Sequence, residues 1–133
     1  MSFAVIRAAI ADACESVGLL AHSYITDDIT TPAAIIRMDR VQYDLTFGRG
    51  ADQIDLVLTV VADRTDEQGA QQFLDDLIDP ASSSLLKTAL EDTDTIAAAG
   101  VHYIRVREAS AVQQLRYGAV DYLSVDLTIE VVV

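Results

Sequence analysis

From Leu123 to Val131 the chain alternates with period two. Leu123, Val125, Leu127, Ile129 and Val131 fall on one side, and Ser124, Asp126, Thr128 and Glu130 on the other. Successive side chains of a strand point to opposite faces, so this pattern specifies a sheet with one buried face. The strand is read as running from Ala119 to Val133. A second run, Gln53 to Ala62, is apolar on both sides: Ile54, Leu56, Leu58 and Val60 fill one face, while Val57 and Val61 add to the other. Such a strand is central and covered on each side. In a domain this small, one cover can come from a neighbouring subunit.

The other elements follow from periodicity and from the residues that stop it. Phe3, Ile6, Ile10, Cys14 and Val17 recur at three- and four-residue steps, which predicts an amphipathic helix ending at Gly18. Leu19 to Ile25 reads as a short strand. Thr26 to Pro32 reads as a loop, because hydroxyl and carboxylate side chains compete for the backbone there. Ala33 to Met38 is a strand entered through Pro32. Tyr43 to Phe47 pairs with the Gln53 run across Gly48-Arg49-Gly50, where the glycines supply positive φ.

Thr65 and Gln68 form a capping box for a helix from about Asp66 to Ile78, expected to bury Phe73, Leu74 and Leu77. A short helix after Ser82 to Ser84 turns Leu85, Leu86, Ala89 and Leu90 inward. Glu91 to Thr95 is read as an acidic loop, and Val101 to Arg107 as a strand. Ile104 and Val106 point inward, so Arg105 and Arg107 share the outer face with Asp126 and Glu130. The expected class is α+β: a mostly antiparallel sheet packed against amphipathic helices, in the order α-β-β-β-β-α-α-β-β, as a single domain over residues 1–133.

A length of 133 residues suits one domain with its own core. The hydrophobic fraction is 51%, yet no apolar run approaches the ~20 residues a spanning helix needs. Asp12 and Glu15 interrupt what would have to be a secretory signal, so the protein is expected to act where it is made. A net charge of −12 repels phosphate backbones and argues against binding nucleic acid by charge neutralisation. The arginines are scattered, which disfavours a toxin–antitoxin or nucleic-acid accessory role. Arginine outnumbers lysine eight to one, pointing with the abundant alanine to a GC-rich coding genome.

Few residues carry chemistry. Cys14 is the single cysteine and lies on the apolar stripe, a buried structural thiol. His22 and His102 have no Cys or Glu at ligand spacing. Asp92-Thr93-Asp94 opens like a calcium loop but meets Ala97 where glycine is needed and Tyr103 where glutamate is needed. Asp27-Asp28 and Asp75-Asp76 read as solvated charge. Gly48-Arg49-Gly50 lacks the third glycine of a dinucleotide fingerprint, and Ser82 to Ser84 lack a nucleophile's context. No catalytic residue, cofactor or metal is expected, and no pocket with convergent polar groups is visible for a small molecule.

The string Val41-Gln42-Tyr43-Asp44-Leu45-Thr46-Phe47-Gly48-Arg49-Gly50 resembles the tail terminator proteins of long-tailed bacteriophages. The resemblance extends to the first helix, the Pro32-Ala33-Ala34 strand entry, the helix from Asp66, the Leu85-Lys87-Leu90 helix and the closing strand. It implies a structural virion protein, here of a phage with an actinobacterial host, assembled in the host cytoplasm. Such a protein forms a ring, typically a hexamer, at the head-proximal end of the tail tube. It ends tube polymerisation and meets the head.

Implied partners are further copies of the chain, the tail tube protein, a head-closure or connector protein, and viral DNA passing through the lumen without specific binding. No membrane partner is implied. Another neck protein, such as a head-closure or tail-completion factor, is the alternative. Tyr43, Phe47, Arg49 and Val133 are the candidate interface residues, since aromatics and arginine favour interface centres and the chain closes on Val131-Val132-Val133 without a polar tail.

Overall fold

The computed structural model describes residues 3–22, 32–43, 52–63, 67–81, 85–117 and 120–133. Helix α1 spans Phe3–Ser16 and buries Ile6, Ile10 and Cys14, joined by Ala9, Ala11 and Ala13. Phe3, at the open first turn, stays 43% exposed. The helix stops at Gly18, whose φ of 92° is left-handed. There the Gly18 amide donates to the Glu15 carbonyl (3.1 Å) and the Leu19 amide to that of Cys14 (3.2 Å). This Schellman closure satisfies the last carbonyls and turns Leu19 into the core.

Among the described residues six strands make one sheet: β1 (Leu20–His22), β2 (Ala33–Gln42), β3 (Gln53–Asp63), β4 (Tyr103–Ala109), β5 (Gln113–Tyr117) and β6 (Val120–Val132). Their order is β1-β2-β3-β6-β4, with β5 also on β6. Of these described strands only the β1–β2 pair is parallel. Every residue of β3 from Gln53 to Asp63 pairs with β6, from Val132 back to Tyr122. The helices α1, α2 (Glu67–Ile78) and α3 (Leu86–Leu90) pack on one face, and α4 (Thr93–Ala99) packs on α1 and α3. The core between the two layers joins Ile6 and Ile10 to Ile54, Leu56, Leu58 and Val60, and to Val125, Leu127, Ile129 and Val131. The fold is therefore α+β with a mostly antiparallel sheet. Among the described residues no helix is long and apolar enough to cross a membrane.

The element order differs from the expected one in three places. The arm of the hairpin beside β3 is a single strand from Ala33 through Gln42, with a register shift between Met38 and Arg40. Charged residues at the exposed end of that strand mimic a loop. The expected strand from Tyr43 to Phe47 lies, beyond Tyr43, outside the described residues, as do Gly48, Arg49, Gly50, the loop residues 26–31, Thr65 and Ser82 to Ser84.

The expected acidic loop contains helix α4 instead. The Asp92 carboxylate accepts from the Asp94 amide (3.0 Å) as its N-cap, and Gly100, at φ 69°, closes it. The carboxylates that imitate a calcium loop are thus a helix start. The third difference is that β5 precedes β6. The Ser110 amide bonds the Asp126 carbonyl (2.8 Å) and the Ser110 Oγ accepts from the Asp126 amide (2.9 Å), which lets β4 and β5 lie end to end along β6.

Phe73 is only half-buried, packed at the margin of the core, whereas Leu74 and Leu77 are buried. Burial pushes the Cys14 thiol up to about 12, helped by the charge of Glu15, so the thiol stays protonated and inert. Leu74→Ala is expected to destabilise the fold by ~2–5 kcal/mol and Phe73→Ala by less. Urea unfolding of the two variants checks this order, and the reverse order would place Phe73 inside.

Candidate functional site

The sheet face away from the helices is organised in rows that cross the strands. The registers align Leu20, Ala33, Val61, Ser124 and Gln113 in the first row, and His22, Ile35, Thr59 and Asp126 in the second. Arg37, Val57, Thr128 and Glu108 form the third. Arg40, Asp55, Glu130 and Arg105 form the fourth, followed by Gln42, Gln53, Val132 and Tyr103. One end of the face is therefore apolar and hydroxylic, and the other is charged.

The charged end is a network of four strands. Asp55 and Glu130 are directly opposed and nearly buried, at 6% and 8% exposure. Like charges in facing positions repel, so each carboxylate needs its own cation. Arg40 Nε donates to Asp55 Oδ2 at 2.5 Å, and Gln53 Nε2 to Asp55 Oδ1 at 2.9 Å. Arg107 lies 3.7 Å from Glu130, and the Tyr103 hydroxyl reaches Glu130 Oε1 at 3.5 Å.

Burial alone would raise the Asp55 pKa. The bonds from Arg40 and Gln53, with the positive charge of Arg40 and Arg107, outweigh it and hold the carboxyl below its ordinary 3.8. The same contact raises the pKa of Arg40. Arg105 faces Glu130, as the strand parity predicts, and Ile104 and Val106 point inward. A bulge between Val106 and Glu108 brings Arg107 and Glu108 together beside Asp39, Arg40 and Asp55.

The other end holds a groove of about 280 Å³ lined by Ile35, Arg37, Thr59, Gln113, Leu115, Ser124 and Asp126. The Thr59 hydroxyl donates to Asp126 Oδ1 (2.8 Å) and accepts from Arg37 (3.3 Å), while Gln113 Nε2 donates to Asp126 Oδ2 (3.4 Å). Ala33, Ile35 and Val61 are buried here, outside the main core. Ser124 Oγ is buried without a hydrogen-bond partner, as is His22 Nε2 one row away. The sequence reading that no polar groups converge on a pocket is corrected by this groove, whose lining comes from four strands far apart in the chain.

Of the expected interface residues, Tyr43 follows β2 and is 72% exposed. Val133 is half-buried against the core, and its amide and carbonyl pair with Asp52, extending the β3–β6 ladder inside its own subunit. Phe47 and Arg49 lie outside the described residues. His102 is exposed, and its amide donates to the Val132 carbonyl (2.8 Å). No protein-family model matches this chain, and no curated protein does so either.

Because the folded-state pKa of Asp55 lies below its unfolded value, the group stabilises the fold above that value. The contribution disappears as the pH falls through the folded one. Asp55→Asn is expected to lower the urea midpoint at neutral pH, with the gap to wild type closing in acid below 3.8. A gap that stays constant across that range would remove the ion-pair account.

Proposed function

We propose that this chain is a structural virion protein that forms a ring at the head-proximal end of a phage tail tube. There it ends tube polymerisation and provides the surface on which the head docks. The observation that carries the reading is the sheet face that no helix covers among the described residues, joined to the resemblance of the Val41 to Gly50 string to tail terminators. One face of the sheet is a conventional core. The other carries polar and charged rows, in which Arg40, Arg105 and Glu108 are exposed, a composition that suits the polar part of a protein contact.

The role needs no catalysis. Growth stops when the last tube ring is covered by a subunit that cannot template another. A ring of six chains, each carrying −12, has a formal charge of −72, so most of its acids must face water or the lumen rather than subunit contacts. Like charge along a lumen keeps passing DNA from adhering. The network around Asp55 and Glu130 fits this requirement, because it neutralises its acids within one subunit.

Depleting the protein during infection is expected to leave filled heads without tails, together with tubes of uncontrolled length seen by electron microscopy. Tails of normal length that fail to join heads would overturn the terminator role and assign the chain to the neck.

A further inference from the structure

We propose that the open edge of β4 docks an extended segment of another protein, one that alternates apolar and acidic residues and joins the sheet as a further strand. The site stands apart from the ring reading and does not need it.

The backbone sets the first requirement. β4 ends the strand order, with β6 on one flank and, among the described residues, no strand on the other. Alternate amides and carbonyls of such a strand point away from the sheet, where an added strand can pair with them. The Ser110 amide turns to the Asp126 carbonyl on β6, so the amide of Ala109, one residue earlier, faces the open side. An extended backbone is the partner that meets such a row.

The two faces of the edge select the side chains. On the helix side an open groove of about 270 Å³ runs beside β4, lined by Leu77, Ile78, Leu85, Val106, Ala109 and Leu127. That volume lies below the ~300–1,000 Å³ of small-molecule pockets, so the groove takes side chains rather than a whole ligand. On the other side Arg105 is exposed, and among the described residues its guanidinium has neither a hydrogen bond nor an ion pair. Arg107 reaches Glu130 yet leaves 54% of its side chain exposed. Successive side chains of a strand point to opposite faces, so apolar residues of the segment enter the groove while acidic ones meet the arginines.

Charge narrows the choice further. Residues 103–117 hold three arginines against one acid, in a chain of 21 acids and nine bases. An acidic segment is attracted here and repelled elsewhere. A second copy of this chain fits worse. Its β4 carries the same arginines and the same bulge, and a bulged edge resists pairing over its length. Its β2 sets Arg37 and Arg40 against Asp39, again a net positive strand.

Fluorescence anisotropy with a short labelled peptide alternating leucine and glutamate tests the site. Saturable binding is expected, and a peptide alternating leucine and lysine should not bind. Arg105→Glu should weaken the glutamate peptide by roughly tenfold and admit the lysine peptide, a reversal that an unfolded variant cannot give. Ala109→Glu, which places a charge in the groove at an exposed position, should also weaken binding by roughly tenfold. N-methylation of the leucines alone, or of the glutamates alone, should abolish binding in one case and spare it in the other, because alternate amides face opposite flanks. Hydrogen exchange of the Ala109 amide should slow in the complex.

Failure of the glutamate peptide to bind at any soluble concentration would overturn the proposal, as would equal binding of both peptides. Binding that both N-methylated peptides retain, with Ala109 unprotected, would overturn the added strand. Self-association of the chain that Arg105→Glu abolishes and the peptide cannot displace would give the edge to a second copy and overturn the proposal.

Discussion

The antiparallel ladder between β3 and β6 is the constraint on which the rest of this molecule depends. Both strands are long, and their pairing runs unbroken from Gln53–Val132 to Asp63–Tyr122. In this register Leu56 faces Ile129, Leu58 faces Leu127 and Val60 faces Val125, all toward the helices. A slip of one residue would turn Asp55, Thr59 and Val61 of β3 into the core and Leu56 and Leu58 out of it. Burying the Asp55 carboxylate there without Arg40 would cost far more than any strand pair returns. The ladder thus sets the core, and through it the order of the rows on the opposite face.

Much of the fold is legible in the chain because burial and periodicity agree locally. The apolar stripe of α1, the glycine that stops it and the alternation of β6 each need only neighbouring residues to be read. The failures have physical causes of the same kind. Arg37, Asp39 and Arg40 are exposed, so the far half of β2 loses its apolar signature and reads as a break. Asp92 and Asp94 look like a solvated loop until the Asp92 carboxylate is seen capping an amide of α4. Strand β5 has mostly polar, exposed residues, and its junction with β4 depends on a serine that replaces part of the backbone pairing. Phe73 sits on the right stripe of α2, but at its margin.

The candidate site was less legible than the fold. Strand parity is enough to put Arg105 opposite Glu130, but the bulge after Val106 that brings Arg107 beside Glu108 leaves no mark in the sequence. Arg40 and Asp55 find each other only once the β2–β3 register is known. The groove is more demanding still, since Ile35, Thr59, Ser124 and Leu115 meet through three strand pairings at once. Long-range registers of this sort lie beyond local patterns, even where each strand alone is plain.

The central claim is that one face of this sheet closes the subunit and the other closes an assembly. The most direct test is native mass spectrometry of the purified chain, alone and after release from tube ends. The account predicts a single closed species at six times the 14.4 kDa subunit mass. A 14.4 kDa monomer in both samples would contradict it.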